Sequence, residues 1–381
     1  MKILIIAGFA DSIITFRGDL IRAMQAQGCE VHVAAPEVAS SPRTQGTLAA
    51  MGVQLHEIPL ARTGTNPFAD IRLSWRLFRL MRNLRPDMVL GYTIKPAVYG
   101  SIAAWLARVP RRYVLMTGLG YAFTNGRGGL LPLLIRSLYA FAIGRTHKVF
   151  FQNGDDQKLF RSLNMLPDRV GSVVINGSGV DTDHYVPVPL PSTTVNFLMI
   201  GRLLGDKGVR EYVAAAKTVK ARYPQVRFRL VGWIDSNPDA ISQSELDAWI
   251  ASGVIEFGGK LDDVRPAIAD CTTYVLPSYR EGTPRTVLEA MAMGRPIITT
   301  DAPGCRETTV DGDNGFLVPV GSEDALVQAM LRFVEVPELA TQMGQRSRMI
   351  AEEKYDVRKV NAIMLREMGI VAHAQTGIAS R

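Results

Sequence analysis

Cysteine is scarce in this 381-residue chain, which has only Cys29, Cys271 and Cys305. The three lie far apart and form no C-x-x-C pair, which argues against a disulfide framework or a zinc site and fits a reducing, cytoplasmic compartment. Long apolar runs are also missing, so no membrane-spanning helix is expected. The short apolar start, MKILIIAGF, leads into a glycine turn, and we interpret it as a first buried strand rather than a signal peptide.

Acidic residues are sparse only in the first half. Residues 1–190 hold 21 Lys and Arg against 12 Asp and Glu, a balance of +9, whereas residues 191–381 hold 22 against 24, a balance of −2. A basic half favours nucleic acid, an anionic membrane surface or a phosphorylated substrate as a partner. Helix-turn-helix, zinc and aromatic–basic strand signals are absent from the sequence, so we expect no nucleic-acid partner.

Short apolar runs alternate with helical patterns in both halves, which predicts an α/β protein with two parallel, doubly wound sheets. The proline-rich segment VPVPLPSTT (186–194) separates them as a linker. We therefore predict a Rossmann-like domain at 1–190, a second at 191–354, and a helix at about 355–381 that rejoins the first. Ligands of such sheets bind at the carboxyl ends of the strands, here across a cleft between the domains. The predicted strands are 2–7, 30–35, 53–58, 87–92, 112–117, 148–153 and 170–175, then 195–201, 226–232, 254–259, 272–278 and 295–300, and the clearest helices 16–27, 68–84 and 155–163.

The most informative stretch is SYREGTPRTVLEAMAMGRPII (278–298). Glu281 follows a buried strand, Thr283 is a candidate N-cap with Pro284 as the first helical residue, and Glu289 lies about one and a half turns into the helix. The helix start would attract an anion such as a diphosphate. Two glutamates eight apart are by themselves typical of an ordinary surface helix, and the strand–helix corner is what favours a site. The backbone N–H groups expected to face the ligand are those of Gly282, Thr283 and Arg285.

A second pattern, IGRLLGDKGV (200–209), follows the first strand of the second half. Arg202 and Lys207 would stand at the same sheet edge, and the glycines around them let the backbone approach a ligand closely. Two cations there can neutralise a pyrophosphate and stabilise a departing nucleoside diphosphate. A solvated basic loop is the alternative reading of this segment.

These motifs together resemble the retaining glycosyltransferases of family 4, which have two Rossmann-like domains in the GT-B arrangement. The resemblance rests on Gly201-Arg202 with Lys207-Gly208, FGGKLDD (257–263), EGTPRTVLEAMAMGRPI (281–297) and DGDNGFLV (311–318). It implies a UDP-sugar donor, catalysis without a resident cofactor or metal, and retention of anomeric configuration. The Asp181-x-Asp183 pair looks like a metal signature of another transferase fold, but the family has a similar loop here without a metal role.

The resemblance also implies residue roles. Arg202 and Lys207 would hold the diphosphate, Glu289 the ribose hydroxyls, and Glu281 the transferred sugar. A carboxylate suits a ribose because it can accept two hydroxyl hydrogen bonds. The donor site as a whole would comprise Gly8 from the first domain, Arg202, Lys207, Gly259, Lys260, Leu261, Glu281, Gly282, Thr283, Pro284, Arg285 and Glu289, of which Glu281, Arg202 and Lys207 are the candidate catalytic residues.

Signals for the acceptor lie in the first half. Lys95 could meet an acceptor phosphate or be a solvated lysine, and Thr117 begins the sequence T-G-L-G where many family members carry a histidine. That histidine contact is therefore not assigned. The patterns K-P-x-x-Y-G and T-G-L-G look like bacterial transferases that extend undecaprenyl-diphosphate-linked N-acetylhexosamine, such as α-1,3-N-acetylgalactosaminyltransferases.

Two segments are compatible with a lipid-linked acceptor at the inner face of the plasma membrane. Residues 71–85 hold five arginines and no acid, and as a helix would be either a membrane-surface element or a sheet-packed helix with a solvated basic face. Residues 128–145 are apolar nearly all round, as in a buried helix or an interfacial lid. The expected function is a HexNAc transferase. The alternatives are a hexosyltransferase with a soluble acceptor or another nucleotide-sugar, and a nucleotide-sugar 2-epimerase.

Overall fold

The structure is a computed structural model that describes residues 1–60, 66–118, 130–191, 194–235 and 237–370, with the side chains of 130–133 excepted. The chain divides into two compact units. The first comprises Met1–Ser178 together with the segment from Val360, and the second comprises Gly179–Lys359. Each unit is described below by itself.

The first unit is built on a seven-stranded parallel sheet with the order β3-β2-β1-β4-β5-β6-β7. The order reverses between β1 and β4, so their carboxyl ends flank the switch point at which such sheets bind ligands. The central strands, β1 and β4, are almost wholly apolar because helices cover both faces. Their bounds are β1 Lys2–Ile6, β2 Glu30–Ala35, β3 Gln54–Glu57, β4 Met88–Tyr92, β5 Arg111–Met116, β6 Lys148–Phe151 and β7 Gly171–Val174.

The second unit repeats this plan with a six-stranded parallel sheet, in the order β10-β9-β8-β11-β12-β13. Its switch point lies between β8 and β11. One continuous apolar core fills both sides of this sheet. The bounds are β8 Asn196–Arg202, β9 Arg227–Trp233, β10 Glu256–Phe257, β11 Thr273–Leu276, β12 Ile297–Thr300 and β13 Gly315–Val318.

Helices alternate with the strands, and several begin at side-chain caps. Asn66 accepts hydrogen bonds from the Phe68 and Ala69 N–H groups at the start of α3, and Ser242 with Glu245 forms a capping box on α8. The first-unit helices are α1 Asp11–Ala26, α2 Pro42–Ala50, α3 Pro67–Leu84, α4 Ser101–Leu106, α5 Leu130–Ile143 and α6 Gly154–Ser162. Those of the second unit are α7 Val209–Arg222, α8 Gln243–Ala251, α9 Arg265–Ala269, α10 Arg285–Ala292, α11 Glu323–Glu335 and α12 Glu338–Ile350. The helix α13 Val357–Glu367 begins in the second unit and continues into the first.

Shorter turns complete the chain. Lys207 lies in a 3₁₀ turn at Gly205–Lys207, another such turn spans Arg306–Thr308, and π-helical turns occupy Pro96–Gly100 and Ala351–Tyr355. None of the helices within the described residues has the length and hydropathy needed to cross a bilayer.

The boundaries between the two units in the sequence lie after Ser178 and after Lys359, whereas the sequence predicted them after residues 190 and 354. The proline-rich segment is held on the second unit because one arginine donates to a carbonyl group within it and another to the carbonyl group directly before it. The Arg295 guanidinium, which is fully buried, donates to the Val188 oxygen at 2.8 Å, and the Arg348 Nη1 donates to the Tyr185 oxygen at 2.8 Å. The segment therefore belongs to the second core, and it does not act as a free linker.

All twelve predicted strands are present, with β10 limited to two residues. The helix predicted at 16–27 begins earlier, at Asp11, since Ile13 already packs in the first core. The motif DGDNGFLV contains a strand, β13, that its periodicity did not suggest. Beyond α13, residues Met368 and Ile370 also pack in the first core, while 371–381 lie outside the described residues.

Candidate functional site

The carboxyl edge of the second sheet gathers the charged residues that the sequence singled out. Arg202 ends β8, Lys207 follows it in the 3₁₀ turn, and Glu281 follows β11, the neighbour of β8 across the switch point. Because all strands are parallel, these loops emerge at one edge. The sequence-predicted group therefore comes together in space.

Lys207 is fixed by the glycine that follows it. Gly208 has φ +72°, and a Cβ there would lie 2.2 Å from the carbonyl oxygen of Pro277 at the end of β11. Only glycine allows this close approach, which brings the Lys207 turn against the β11 loop. The Lys207 ammonium then donates to Glu281 Oε1 at 2.6 Å in a mostly buried ion pair.

Glu281 is fixed in its loop by hydrogen bonds of both its side chain and its backbone. Its Oε1 also accepts from the Ser278 hydroxyl at 2.9 Å, and its backbone N–H donates to the Pro303 oxygen at 2.9 Å. The Cys305 thiol lies close by, but burial together with the Glu281 charge raises its pKa to about 12. It therefore stays protonated, and the described part of this loop cluster offers an ion pair rather than a thiolate nucleophile.

Arg202 has a carboxylate partner of its own. Its Nη1 donates to Asp235 Oδ2 at 3.0 Å, beyond the end of β9. Trp233, the last residue of β9, is partly exposed at the same edge, and the Lys260 ammonium lies 5.2 Å from its ring centroid. An exposed aromatic face beside a cation is a surface on which a base can stack.

The Gly259–Leu261 turn continues this edge after β10. The Gly259 oxygen accepts from the Gly232 N–H at 2.9 Å, which ties the turn to the end of β9. Leu261 packs partly against the core, whereas Lys260 is exposed. The turn thus lies beside Trp233, two strands away from β8.

Glu289 is buried, not a surface residue, with 5% of its area exposed. Two donors meet at its Oε1: the Tyr185 hydroxyl at 3.0 Å and the Arg285 Nε at 2.9 Å. Neither of these two bonds involves Oε2. Burial and the Glu289 charge raise the pKa of Tyr185, which keeps the phenol protonated as a donor.

The helix that carries Glu289 starts one residue later than the sequence predicted. Pro284 has an extended ψ of 111° and occupies the N-cap position, so α10 begins at Arg285, and Thr283 is not its cap. Gly282, Thr283 and Pro284 are all buried in the corner between β11 and α10. The predicted strand–helix corner is present, and its first helical residue is Arg285 instead of Pro284.

The corresponding edge of the first sheet holds Gly8, after β1, and Thr93, after β4. A Cβ on Gly8 would lie 2.5 Å from the Thr93 hydroxyl oxygen, so only glycine fits there. Thr93 itself has φ +70°, a left-handed conformation that a β-branched residue rarely adopts. Such strain occurs most often at functional sites.

Lys95 is not a solvated lysine, because its ammonium is paired with a buried carboxylate. Its ammonium donates to Asp70 Oδ1 at 2.8 Å, and the Tyr99 hydroxyl donates to Asp70 Oδ2 at 2.8 Å. A role for Lys95 in binding an acceptor stays a prediction and would require this buried pair to open. Thr117 follows β5 and is partly exposed, while Leu119 and Gly120 of its motif lie outside the described residues.

No cluster of three or more metal-ligating side chains occurs among the residues that the structure describes. The Asp181 carboxylate accepts from the Asp183 and His184 N–H groups of its own turn, and Asp183 pairs with Arg358. Both acids of the candidate metal signature therefore have structural partners.

The two units match two protein-family models. Residues 2–153 match the family described as glycosyl transferase 4-like, and residues 194–335 match glycosyl transferases group 1. A solved protein from Anabaena, HepE in complex with UDP, has the same fold, with a TM-score of 0.75 at 18% identity over 97% of this chain and all of that one. The fold is thus the two-domain GT-B type.

Two relatives of described activity align with most of this chain and with most of their own length. An N,N'-diacetylbacillosaminyl-diphospho-undecaprenol alpha-1,3-N-acetylgalactosaminyltransferase of Campylobacter jejuni is 27% identical over 91% of this chain and 93% of its own. A UDP-Gal:alpha-D-GlcNAc-diphosphoundecaprenol alpha-1,3-galactosyltransferase of Escherichia coli is 26% identical over 70% and 71%. The chain belongs to the glycosyltransferases that combine these two domains.

Sequence reasoning missed three residues of the site, and two of them have no signal of their own. Tyr185 reaches Glu289 from 104 positions away, and Asp235 reaches Arg202 from 33. Trp233 was the one that could have been found, because an aromatic residue directly after a strand ending in glycine is an exposed edge position.

Proposed function

We propose that this glycosyltransferase moves an N-acetylhexosamine, with retention of configuration, from a UDP-sugar to a saccharide linked to polyprenyl diphosphate. The single observation that carries the proposal is the placement of two cations and two carboxylates around the switch point of the second sheet. The names of the two relatives described above support the lipid-linked acceptor and the HexNAc or hexose donor.

In this proposal the second unit binds the donor. Lys207 and Arg202 neutralise the diphosphate, Glu289 accepts the ribose hydroxyls, and the Gly259–Leu261 turn with Trp233 holds the base. Each cation already has a carboxylate partner. Diphosphate binding therefore competes with Glu281 for Lys207, which would release the Glu281 carboxylate toward the transferred sugar.

Catalysis would rest on positioning and charge stabilisation. As the bond to the anomeric carbon breaks, negative charge develops on the leaving diphosphate beside Lys207, where a fixed cation is worth most. The acceptor hydroxyl would attack from the same face and pass its proton to the leaving phosphate. No side chain has to form a covalent intermediate, and no metal is required.

The first unit would supply the acceptor side, through the edge that carries Thr93 and Thr117. Its basic character fits an enzyme that works at the inner face of the plasma membrane on a phosphorylated lipid.

The test is transfer of radiolabelled sugar from UDP-GalNAc, UDP-GlcNAc and UDP-galactose to synthetic polyprenyl-diphosphate saccharides, with the product anomer assigned by NMR. We expect an α-linked product, with EDTA causing no loss of rate. A β-linked product would exclude retention, and loss in EDTA that manganese restores would exclude the metal-free mechanism. Conversion of UDP-GlcNAc without any acceptor would instead indicate the epimerase alternative.

A further inference from the structure

Three helices of the first unit lie side by side on one face of its sheet. α4 packs against both α3 and α5, and their inner residues join the cores beneath. On α3, Leu73, Leu77 and Met81 are buried. The outward side of these helices is called the α3–α5 face below.

The α3–α5 face exposes large apolar side chains. Phe68, Ile71 and Trp75 are 83%, 66% and 54% exposed, and their spacing of three and four places them in one stripe along α3. Further along the face, Trp105 of α4 and Phe141 of α5 meet edge to face with ring centroids 6.2 Å apart, and both are partly exposed. Large exposed apolar side chains grouped on one face indicate an interaction site.

The charge of this face is of one sign. Residues 67–85, 96–108 and 130–145 contain eight arginines, no lysine and one acid, Asp70. That acid is buried and already paired with Lys95. Two shallow cavities of about 460 and 340 Å³ lie between α3 and the end of β3. They are lined by Arg72, Arg76 and Arg79, with Glu57 as the one carboxylate among their lining residues.

Arginines and aromatic rings are paired across the face. The Arg79 guanidinium lies 4.7 Å from the Trp75 ring centroid, and the Arg145 guanidinium lies 4.5 Å from that of Trp105. This pairing keeps a cation next to a ring that prefers the boundary between headgroups and acyl chains.

We propose that the α3–α5 face binds the surface of an anionic lipid bilayer. The stripe of Phe68, Ile71 and Trp75 enters the headgroup–acyl boundary, and the arginines contact lipid phosphates. Charge complementarity selects this partner, since three helices with eight arginines and one buried acid match a surface of phosphates. The inference deepens the proposed work on a lipid-linked acceptor and rests on that proposal.

The test uses the full chain and vesicles of phosphatidylglycerol and phosphatidylcholine in equal parts, with pure phosphatidylcholine for comparison. The chain has four tryptophans, two on this face and Trp233 and Trp249 in the second unit. Lipids brominated on their acyl chains should quench Trp75 and Trp105 and leave the other two unchanged. Single Trp-to-Phe variants assign the signals.

Two variants weaken the face without touching its buried side. The triple change Arg72→Gln, Arg76→Gln and Arg79→Gln should reduce vesicle affinity about a hundredfold, at about fivefold for each cation near the surface. The change Phe68→Ser with Ile71→Ser should remove the bromine quenching. The matched control for charge is Lys217→Gln, Arg222→Gln and Arg332→Gln, exposed on α7 and α11, and it should bind like the wild type.

Three outcomes would overturn the inference. The first is no binding to anionic vesicles at low salt, and the second is a loss of vesicle affinity in the control triple variant equal to that in the Arg72, Arg76 and Arg79 variant. The third is binding to a DNA duplex with no bromine quenching in vesicles. A UDP titration on the same samples keeps this result apart from the proposed function. Absent vesicle binding with intact UDP binding refutes only the α3–α5 face, whereas vesicle binding without UDP binding refutes the donor site.

Discussion

The hydroxyl of Tyr185 is expected to position Glu289, and Tyr185→Phe removes it with almost no change in shape. It donates to Glu289 Oε1 at 3.0 Å, and that carboxylate is 95% removed from solvent. A hydrogen bond to a charged group contributes about 1.5–3 kcal/mol. Arg285 still donates to the same oxygen at 2.9 Å, so we expect the lower end, about 1.5 kcal/mol of unfolding free energy.

Such a loss lowers the melting temperature by about 3–6 °C in a unit of this size. UDP affinity should also fall, by about fivefold, since the carboxylate that would hold the ribose is less well oriented. The matched control is Tyr279→Phe, which removes a hydroxyl that donates to Glu211 at 2.7 Å on a more exposed side chain. Differential scanning fluorimetry and calorimetric UDP titration give both quantities. Equal effects of the two substitutions would refute the reasoning from burial.

Three further perturbations probe the same framework. Gly208→Ala should cost more than about 2 kcal/mol in urea unfolding, because its Cβ meets a carbonyl oxygen, whereas Gly253→Ala, at a similar φ in open space, should cost about 1 kcal/mol; equal losses would contradict the clash. Lys95→Met should destabilise by about 3 kcal/mol, because it strands the buried Asp70 carboxylate, and adding Asp70→Asn should restore most of that loss; additive losses would show that the two residues do not interact. The Arg358 guanidinium hydrogen-bonds to Asp356 and holds the pKa of that carboxyl below its usual range. The contribution of the Asp356 carboxylate to folding stability is therefore present at neutral pH and is lost as the pH falls below about 4. Melting temperatures between neutral and acidic pH should therefore fall more steeply in the wild type than in Asp356→Asn, and parallel curves would contradict this.

The sheets were predictable because buried parallel strands read as short apolar runs between helical periods. Runs such as EVHVAA and NFLMIGR have few ways to be buried except in a covered sheet. The proposed donor corner was predictable as well, because Arg202 ends a strand and Lys207, Glu281 and Glu289 follow strands that end at the same edge. Local sequence was enough for these features.

What the sequence could not predict depends on contacts between distant residues. The domain boundary differs because Arg295 hydrogen-bonds to the proline-rich segment and Arg348 to Tyr185 directly before it. The sequence of that segment does not indicate partners more than a hundred positions away. The pairing of Lys95 with Asp70 likewise joins the helical turn after β4 to a helix 25 residues earlier. The left-handed conformation of Thr93 runs against its own preference, and only the fold imposes it.

The most direct test of the central claim is a calorimetric titration of UDP into the wild type, Lys207→Met and Lys217→Met. Lys217 lies exposed on α7 in the same unit and serves as the charge control. The donor site at the switch point of the second sheet predicts that UDP binds the wild type and Lys217→Met equally, and Lys207→Met at least about tenfold more weakly. Absence of UDP binding to the wild type, or equal affinity of all three proteins, would contradict it.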